Sequence, residues 1–201
     1  MQFIGITGGV GAGKSAILSY LEAREDTRVM LADEIAHLLM EPDTACYRQL
    51  CEQFAGEDIF CGDGTFDRGR LAAVIFSDEA KRQKLNAIVH PAVKEYVLQE
   101  LDRERRQGQL SYLFLEAALL IEEHYGAICD ELWYIYTSED LRRERLRLTR
   151  GYSDEKIDGI FQSQLAEEIY RQECQVVIDN NGTLEQTYEQ IDQALRRKAD
   201  E

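Results

Sequence analysis

The segment Gly8-Gly9-Val10-Gly11-Ala12-Gly13-Lys14-Ser15 constrains this chain more than any other. It satisfies Gly-x-x-x-x-Gly-Lys-Ser/Thr. It directly follows the short apolar run Phe3–Thr7, and it leads into Ala16–Ala23, where Ile17, Leu18 and Leu21 recur at helical spacing. A buried strand, a glycine-rich turn and a helix in that order make a loop that grips phosphate. The glycines let backbone N–H groups converge on phosphate oxygens with no Cβ in the way. The helix opening at Gly13 adds the positive end of its dipole. Lys14 brings a compact charge to the outer phosphates of a nucleotide, and the Ser15 hydroxyl is suited to ligate a bridging Mg2+. Gly9, Gly11, Ala12 and Gly13 act through the backbone. So does Ala16, which stands where threonine is more usual and whose N–H still donates.

Four further apolar runs read as strands: Val29–Ala32, Leu110–Glu116, Leu132–Tyr136 and Val176–Asp179. Helical patterns separate them. Ser138 reads as an N-cap with Glu139 and Asp140 in the first turn, Ser153 opens another helix in the same way, and Thr183 begins a final amphipathic helix running to about Arg197. The alternation predicts an α/β fold, a P-loop NTPase-type parallel five-stranded sheet with helices on both faces. From Asp33 to about Arg106 the apolar spacing is helical throughout, and Pro91 suits the first turn of a helix. That stretch is far longer than one crossover needs. The expected organisation is a single unit over 1–201, carrying a helical substrate-binding insertion at 34–109 and a lid at 140–170.

Composition removes whole classes of function. The net charge of -15 argues against a broad basic face for nucleic acid, so any anion site must be local and must use backbone donors. No apolar run reaches the roughly 18 residues of a spanning helix, and Met1-Gln2-Phe3-Ile4 reads as a first strand rather than a leader. The five cysteines form no Cys-x-x-Cys pair and the three histidines sit at unrelated spacings, which argues against zinc and for free thiols in a reducing cytosol.

A phosphate loop alone does not separate a kinase from a GTPase. Asp33 ends the second strand, and in an open α/β sheet that end faces the crevice beside the loop. A carboxylate there can align an acceptor hydroxyl with the γ-phosphorus and take its proton late. It can equally cap the helix at Glu34–Met40. Glu116, at the end of the third strand, is either a carboxylate near Mg2+ or a helix cap. No Asn-Lys-x-Asp reads guanine, and Glu116-Ala117-Ala118-Leu119 stands where a GTPase has Asp-x-x-Gly. These features predict an ATP-dependent kinase. The alternatives are a P-loop kinase for another small-molecule alcohol or nucleotide, and a nucleotide-sensing protein with no acceptor.

Over almost its full length the chain resembles the dephospho-CoA kinase family. The resemblance is carried by Ile6–Ser15, by Leu31-Ala32-Asp33-Glu34-Ile35-Ala36, by Phe66-Asp67-Arg68-Gly69-Arg70-Leu71 with Val74-Ile75-Phe76, by Leu85-Asn86-Ala87-Ile88-Val89-His90-Pro91, and by Val177-Ile178-Asp179-Asn180-Asn181-Gly182. It implies ATP and dephospho-CoA as substrates, Mg2+ as cofactor, and a monomer or weak homo-oligomer in the cytoplasm. Asp33 and Lys14 are then catalytic. Arg68, His90, Lys94 and Glu116 lie on the substrate side, and Asn180 contacts the adenine, packs under it or simply turns the chain. Arg142, Arg143, Arg145, Arg147 and Arg150 are similar to the family's lid, with Arg145 as the catalytic member and Arg142 and Arg150 on ATP; a solvated, ion-paired face is the other reading. In the other reading His90 is a helix-start residue capping backbone groups, and Arg68 is a surface ion-pair partner of Asp67 or a neighbour. The chain also departs from the family pattern. Leu31 replaces the first acid of Asp-Ala-Asp, Glu116 and Ala118 replace the acid and the proline of Asp-x-Pro, and the Arg145 to Arg150 spacing is one residue longer than the family's Arg-Leu-x-x-Arg.

Overall fold

A computed structural model describes residues 1–199. They form two compact units, residues 1–30 with 108–199 and Leu31–Gln107.

The first unit is built on a five-stranded sheet. Its strands are β1 (Gln2–Thr7), β2 (Thr27–Leu31), β3 (Tyr112–Glu116), β4 (Glu131–Tyr136) and β5 (Val176–Asp179), in the order β2-β3-β1-β4-β5. The pairings β1–β3, β1–β4 and β4–β5 are parallel. Successive residues of a strand point to opposite faces. Phe3, Ile4 and Ile6 of β1 and Leu113, Phe114 and Leu115 of β3 are all fully buried, so both faces of the central strands are covered. Trp133 of β4 is also fully buried and meets Phe114 edge-to-face. The helices of this unit are α1 (Lys14–Glu22), α6 (Glu139–Arg150), α7 (Asp154–Gln162), α8 (Glu167–Glu173) and α9 (Leu184–Ala199).

The ends of these helices follow local chemistry. Ser153 caps α7 by accepting from the Lys156 N–H. Thr183 and Gln186 form a reciprocal capping box at the start of α9, because the Gln186 N–H donates to Thr183 Oγ1 and the Thr183 N–H donates to Gln186 Oε1. Ser138 occupies the N-cap of α6, but its hydroxyl makes no capping bond. Its backbone N–H donates instead to Asn181 Oδ1, which ties α6 to the turn after β5.

The second unit comprises α2 (Ala32–Leu39), α3 (Ala45–Gln53), α4 (Arg68–Ser77) and the long α5 (Glu79–Gln107). Two sequence expectations fail here. The helical pattern is not continuous, because residues 54–67 form a turn-rich segment closed by an antiparallel bridge between Phe60 and Phe66. The Thr65 N–H and hydroxyl both donate to Asp63 Oδ1, an Asx turn that competes with helix. The Tyr47 ring closes on Phe66 from α3. Pro91 does not start a helix either; it lies inside α5. An interior proline costs about 3 kcal/mol. Val89, Val93, Val97 and Leu101 recur one turn apart and are all buried, and each contributes about 1.5–3 kcal/mol. The Ala87 position, whose carbonyl loses its partner, is exposed and open to water. Burial therefore carries the helix through the proline.

Candidate active site

Residues 8–13 connect β1 to α1 without regular structure, and α1 begins at Lys14 with Gly13 as its cap. Gly13 has φ 85, a left-handed conformation that costs an ordinary residue about 1–2 kcal/mol. A Cβ there would lie 2.5 Å from Asn180 Nδ2 and 3.1 Å from an Arg145 guanidinium nitrogen. Gly13→Ala is expected to lower the thermal midpoint and to weaken ATP binding at least about tenfold in a calorimetric titration, since the peptide that must yield belongs to the phosphate loop. Wild-type affinity in that variant would show the loop to be more pliant than its packing indicates.

Two neighbouring oxygens hold Lys14 in place. Its Nζ donates to Gly8 O at 2.7 Å and lies 3.5 Å from Glu116 Oε1. The β1–β3 register sets Glu116 beside Ile6, so the carboxylate stands at the strand end next to the loop. Ser15 is the second residue of α1 and is exposed, while Ala16 is half-buried.

The carbonyl of Ala12 is the most heavily bonded group of the loop. It accepts from Asn180 Nδ2 at 2.7 Å, from Thr137 Oγ1 at 3.0 Å and from Arg145 Nη1 at 3.3 Å. Arg145 also donates through Nη2 to Asn180 O at 3.0 Å. Asn180 is only 2% exposed with its amide bonded in this way, so it faces the loop backbone and reaches a nucleotide only through it.

Arg142 serves the other end of the loop. Its Nε donates to Val10 O at 2.9 Å, its Nη2 donates to Gln164 Oε1, and its guanidinium stacks 4.4 Å from the Phe161 ring centroid. The guanidinium lies so close to Gly9 that a Cβ there would overlap it. Burial pulls its pKa below the ordinary arginine value, although the group stays cationic.

The remaining arginines of α6 serve different ends. Arg143 pairs with Asp158, Asp154 and Glu139, and Arg147 pairs with Asp154. Hydrogen bonding from Arg147 holds the Asp154 carboxyl below its usual range. These two side chains form the ion-paired face that clamps α6 to α7. Arg150 is exposed in the last turn of α6, and its guanidinium holds the Tyr152 hydroxyl below its ordinary pKa.

Asp33, Arg68, His90 and Lys94 belong to the second unit. Asp33 is exposed in the first turn of α2, and Leu31, not Asp33, occupies the cap. Arg68 is exposed at the first position of α4 and lines a small depression with His37, Met40 and Phe66. Asp67 caps α4 through the Arg70 N–H and pairs with the Arg70 side chain, so it is not the ion-pair partner of Arg68. His90 and Lys94 are half-buried one turn apart on α5, with His90 well inside the helix and not at its start.

Sequence reasoning passed over Thr137, Gln164, Phe161 and Thr187. Only Thr187 carried a signal, because it interrupts the apolar stripe of α9 that continues with Ile191, Ala194 and Leu195. Among the described residues no helix is long and apolar enough to cross a membrane.

Comparison with known proteins agrees with this geometry. The family model for dephospho-CoA kinase matches residues 2–186. A dephospho-CoA kinase from Shouchella clausii is 35% identical over 98% of this chain and 99% of its own length. The crystal structure of TT1252 from Thermus thermophilus superposes with a TM-score of 0.79 at 28% identity, covering 98% of this chain and 97% of that one. A dephospho-CoA kinase from Campylobacter jejuni, 18% identical, shares the fold with a TM-score of 0.72 over 98% of this chain and 96% of its own. The match is full-length on both sides and extends through β5 and the start of α9, so the chain belongs to the dephospho-CoA kinase family.

Proposed function

We propose that this protein transfers the γ-phosphoryl group of ATP to the ribose 3′-hydroxyl of dephospho-CoA, giving coenzyme A and ADP. The observation that carries the reading is the loop itself, with Lys14 tethered to Gly8 O and the Ala12 carbonyl fixed by three donors. A phosphoryl transition state is loose, and its stabilisation rests on positioned charge rather than on covalent chemistry. Lys14 and the amides of Gly9, Gly11, Gly13, Ser15 and Ala16 receive the triphosphate.

Arg145 uses Nη1 and Nη2 on backbone carbonyls and retains further N–H donors for the phosphates. Arg142 adds a cation at Gly9 and Val10, and Arg150, from the end of α6, is assigned a part in closing over ATP. Ser15 and Glu116 fit Mg2+, one as a hydroxyl ligand and the other through the ion's waters; once bound, the ion neutralises charge on the outer phosphates. Asp33 orients the acceptor hydroxyl and takes its proton. Arg68, His90 and Lys94, from the segment 34–109, hold the acceptor's diphosphate. The segment 140–170 acts as the lid. We place the reaction in the cytoplasm, where the five cysteines, none of them in a disulfide, stay reduced, and assign it to a monomer or weak homo-oligomer that binds no nucleic acid, in keeping with the charge of -15.

An ADP-coupled assay tests the acceptor. Dephospho-CoA is expected to support ADP release, while shikimate and a panel of nucleosides are expected to leave the rate at background. Turnover with one of those alcohols and none with dephospho-CoA would overturn the assignment.

A further inference from the structure

We infer that Thr187, on the C-terminal helix α9, is a positioning residue of the phosphate site. The inference rests on the nucleotide-binding reading above and extends it to a residue that cannot itself touch the nucleotide.

A trans peptide points its C=O and the following N–H to opposite sides. The Ala12 carbonyl is turned inward onto Asn180, Thr137 and Arg145, so the Gly13 N–H is directed the other way, outward from the bonded side of the loop. The orientation of that one peptide therefore decides whether a donor faces the phosphates. Asn180 makes the shortest of the three bonds, at 2.7 Å. A carboxamide can rotate by half a turn and exchange its oxygen for its nitrogen; if Asn180 did so, its oxygen would face the Ala12 oxygen and repel it. Thr187 prevents this. Its Oγ1 donates to Asn180 Oδ1 at 2.9 Å, a shorter separation than those to Thr183 O at 3.2 Å and Asp179 O at 3.4 Å. With its oxygen engaged, Asn180 presents only its NH2 to the loop. Thr137 and Thr187 are 2% and 0% exposed, so water does not substitute for either hydroxyl. The chain of bonds runs from α9 through the turn after β5 to the loop, which makes the last helix part of the phosphate site.

The test compares Thr187→Ser, Thr187→Val and Thr187→Ala in the full-length enzyme. Removing one buried donor is expected to raise KM for ATP and the calorimetric Kd for ADP about tenfold in both the Val and Ala variants. KM for dephospho-CoA should stay within about twofold, and Thr187→Ser should match wild type. Val keeps the volume and Ala does not, so a defect common to both follows the hydroxyl and not the packing. If Thr187→Val fails to fold, Ala and Ser decide. The inference is overturned if the hydroxyl-free variants bind ADP like wild type, if Ser is as impaired as Val, or if both KM values rise together. Should the wild type bind ADP yet not turn over dephospho-CoA, the acceptor assignment fails while the ADP titrations still judge Thr187.

Discussion

Lys14→Ala is expected to remove turnover at every pH while leaving the protein folded. Gly8 O and Glu116 hold the Lys14 ammonium at the loop, where charge would accumulate on the transferred group in the proposed reaction. A preorganised cation at that point is worth more than one drawn from solvent, because no reorganisation is needed as the bond breaks. Nothing else in the loop takes over. Arg142 is anchored on Val10 O and Gln164, and Arg145 on Ala12 O and Asn180 O, so neither can cross to the Lys14 position without abandoning the loop backbone. A loss of about 10³-fold or more in kcat/KM is expected, at the upper end of single-donor deletions. Lys14 is the first residue of α1, where alanine is an excellent helix former, so circular dichroism and the thermal midpoint should barely change. Lys14→Arg should not rescue, because a planar guanidinium is bulkier than an ammonium and points its donors differently. Retention of more than about a tenth of wild-type kcat/KM in Lys14→Ala would remove Lys14 from the mechanism.

What could be read from the sequence and what could not divide along the range of the interactions. The phosphate loop and its strand were legible because both are local. An apolar run, glycines that must approach other groups closely and a helix start all lie within the first residues, and Phe3, Ile4 and Ile6 are indeed buried. The capping of α7 by Ser153 was legible for the same reason. Pro91 was misread because its local preference for a helix start was overridden by Val89, Val93, Val97 and Leu101, which bury one continuous face. Residues 54–67 were misread because apolar spacing says nothing about the Asx turn at Asp63 that interrupts it.

The arginines of α6 show the limit most clearly. All five are chemically equal in sequence. Their division into a pair on the loop (Arg142, Arg145) and a pair on α7 (Arg143, Arg147) is decided by where Val10, Ala12, Asp154 and Asp158 stand in space. Asn180 was singled out as turn or adenine contact, and its partnership with Ala12 spans 168 positions of sequence.

Asp33→Asn should separate chemistry from binding. The acid follows β2 by two residues and lies exposed in the first turn of α2. Leu31 holds the cap and Asp33 accepts no capping bond, so a helix-capping role does not account for it. Asparagine keeps the size and one acceptor oxygen but removes the charge and the ability to take a proton. If Asp33 aligns and deprotonates the acceptor, kcat falls by about 10²–10⁴-fold. The ATP-binding groups proposed here, Lys14, the loop amides, Arg142 and Arg145, are untouched, so KM for ATP and the Kd for ADP should move by less than about twofold. The stability cost is limited to the helix-dipole contribution, about 0.3–1 kcal/mol, which a denaturant midpoint resolves. An exchange that lowered stability by that amount but left kcat near normal would reduce Asp33 to a helix-end charge, and the acceptor would then have to be activated by its position alone.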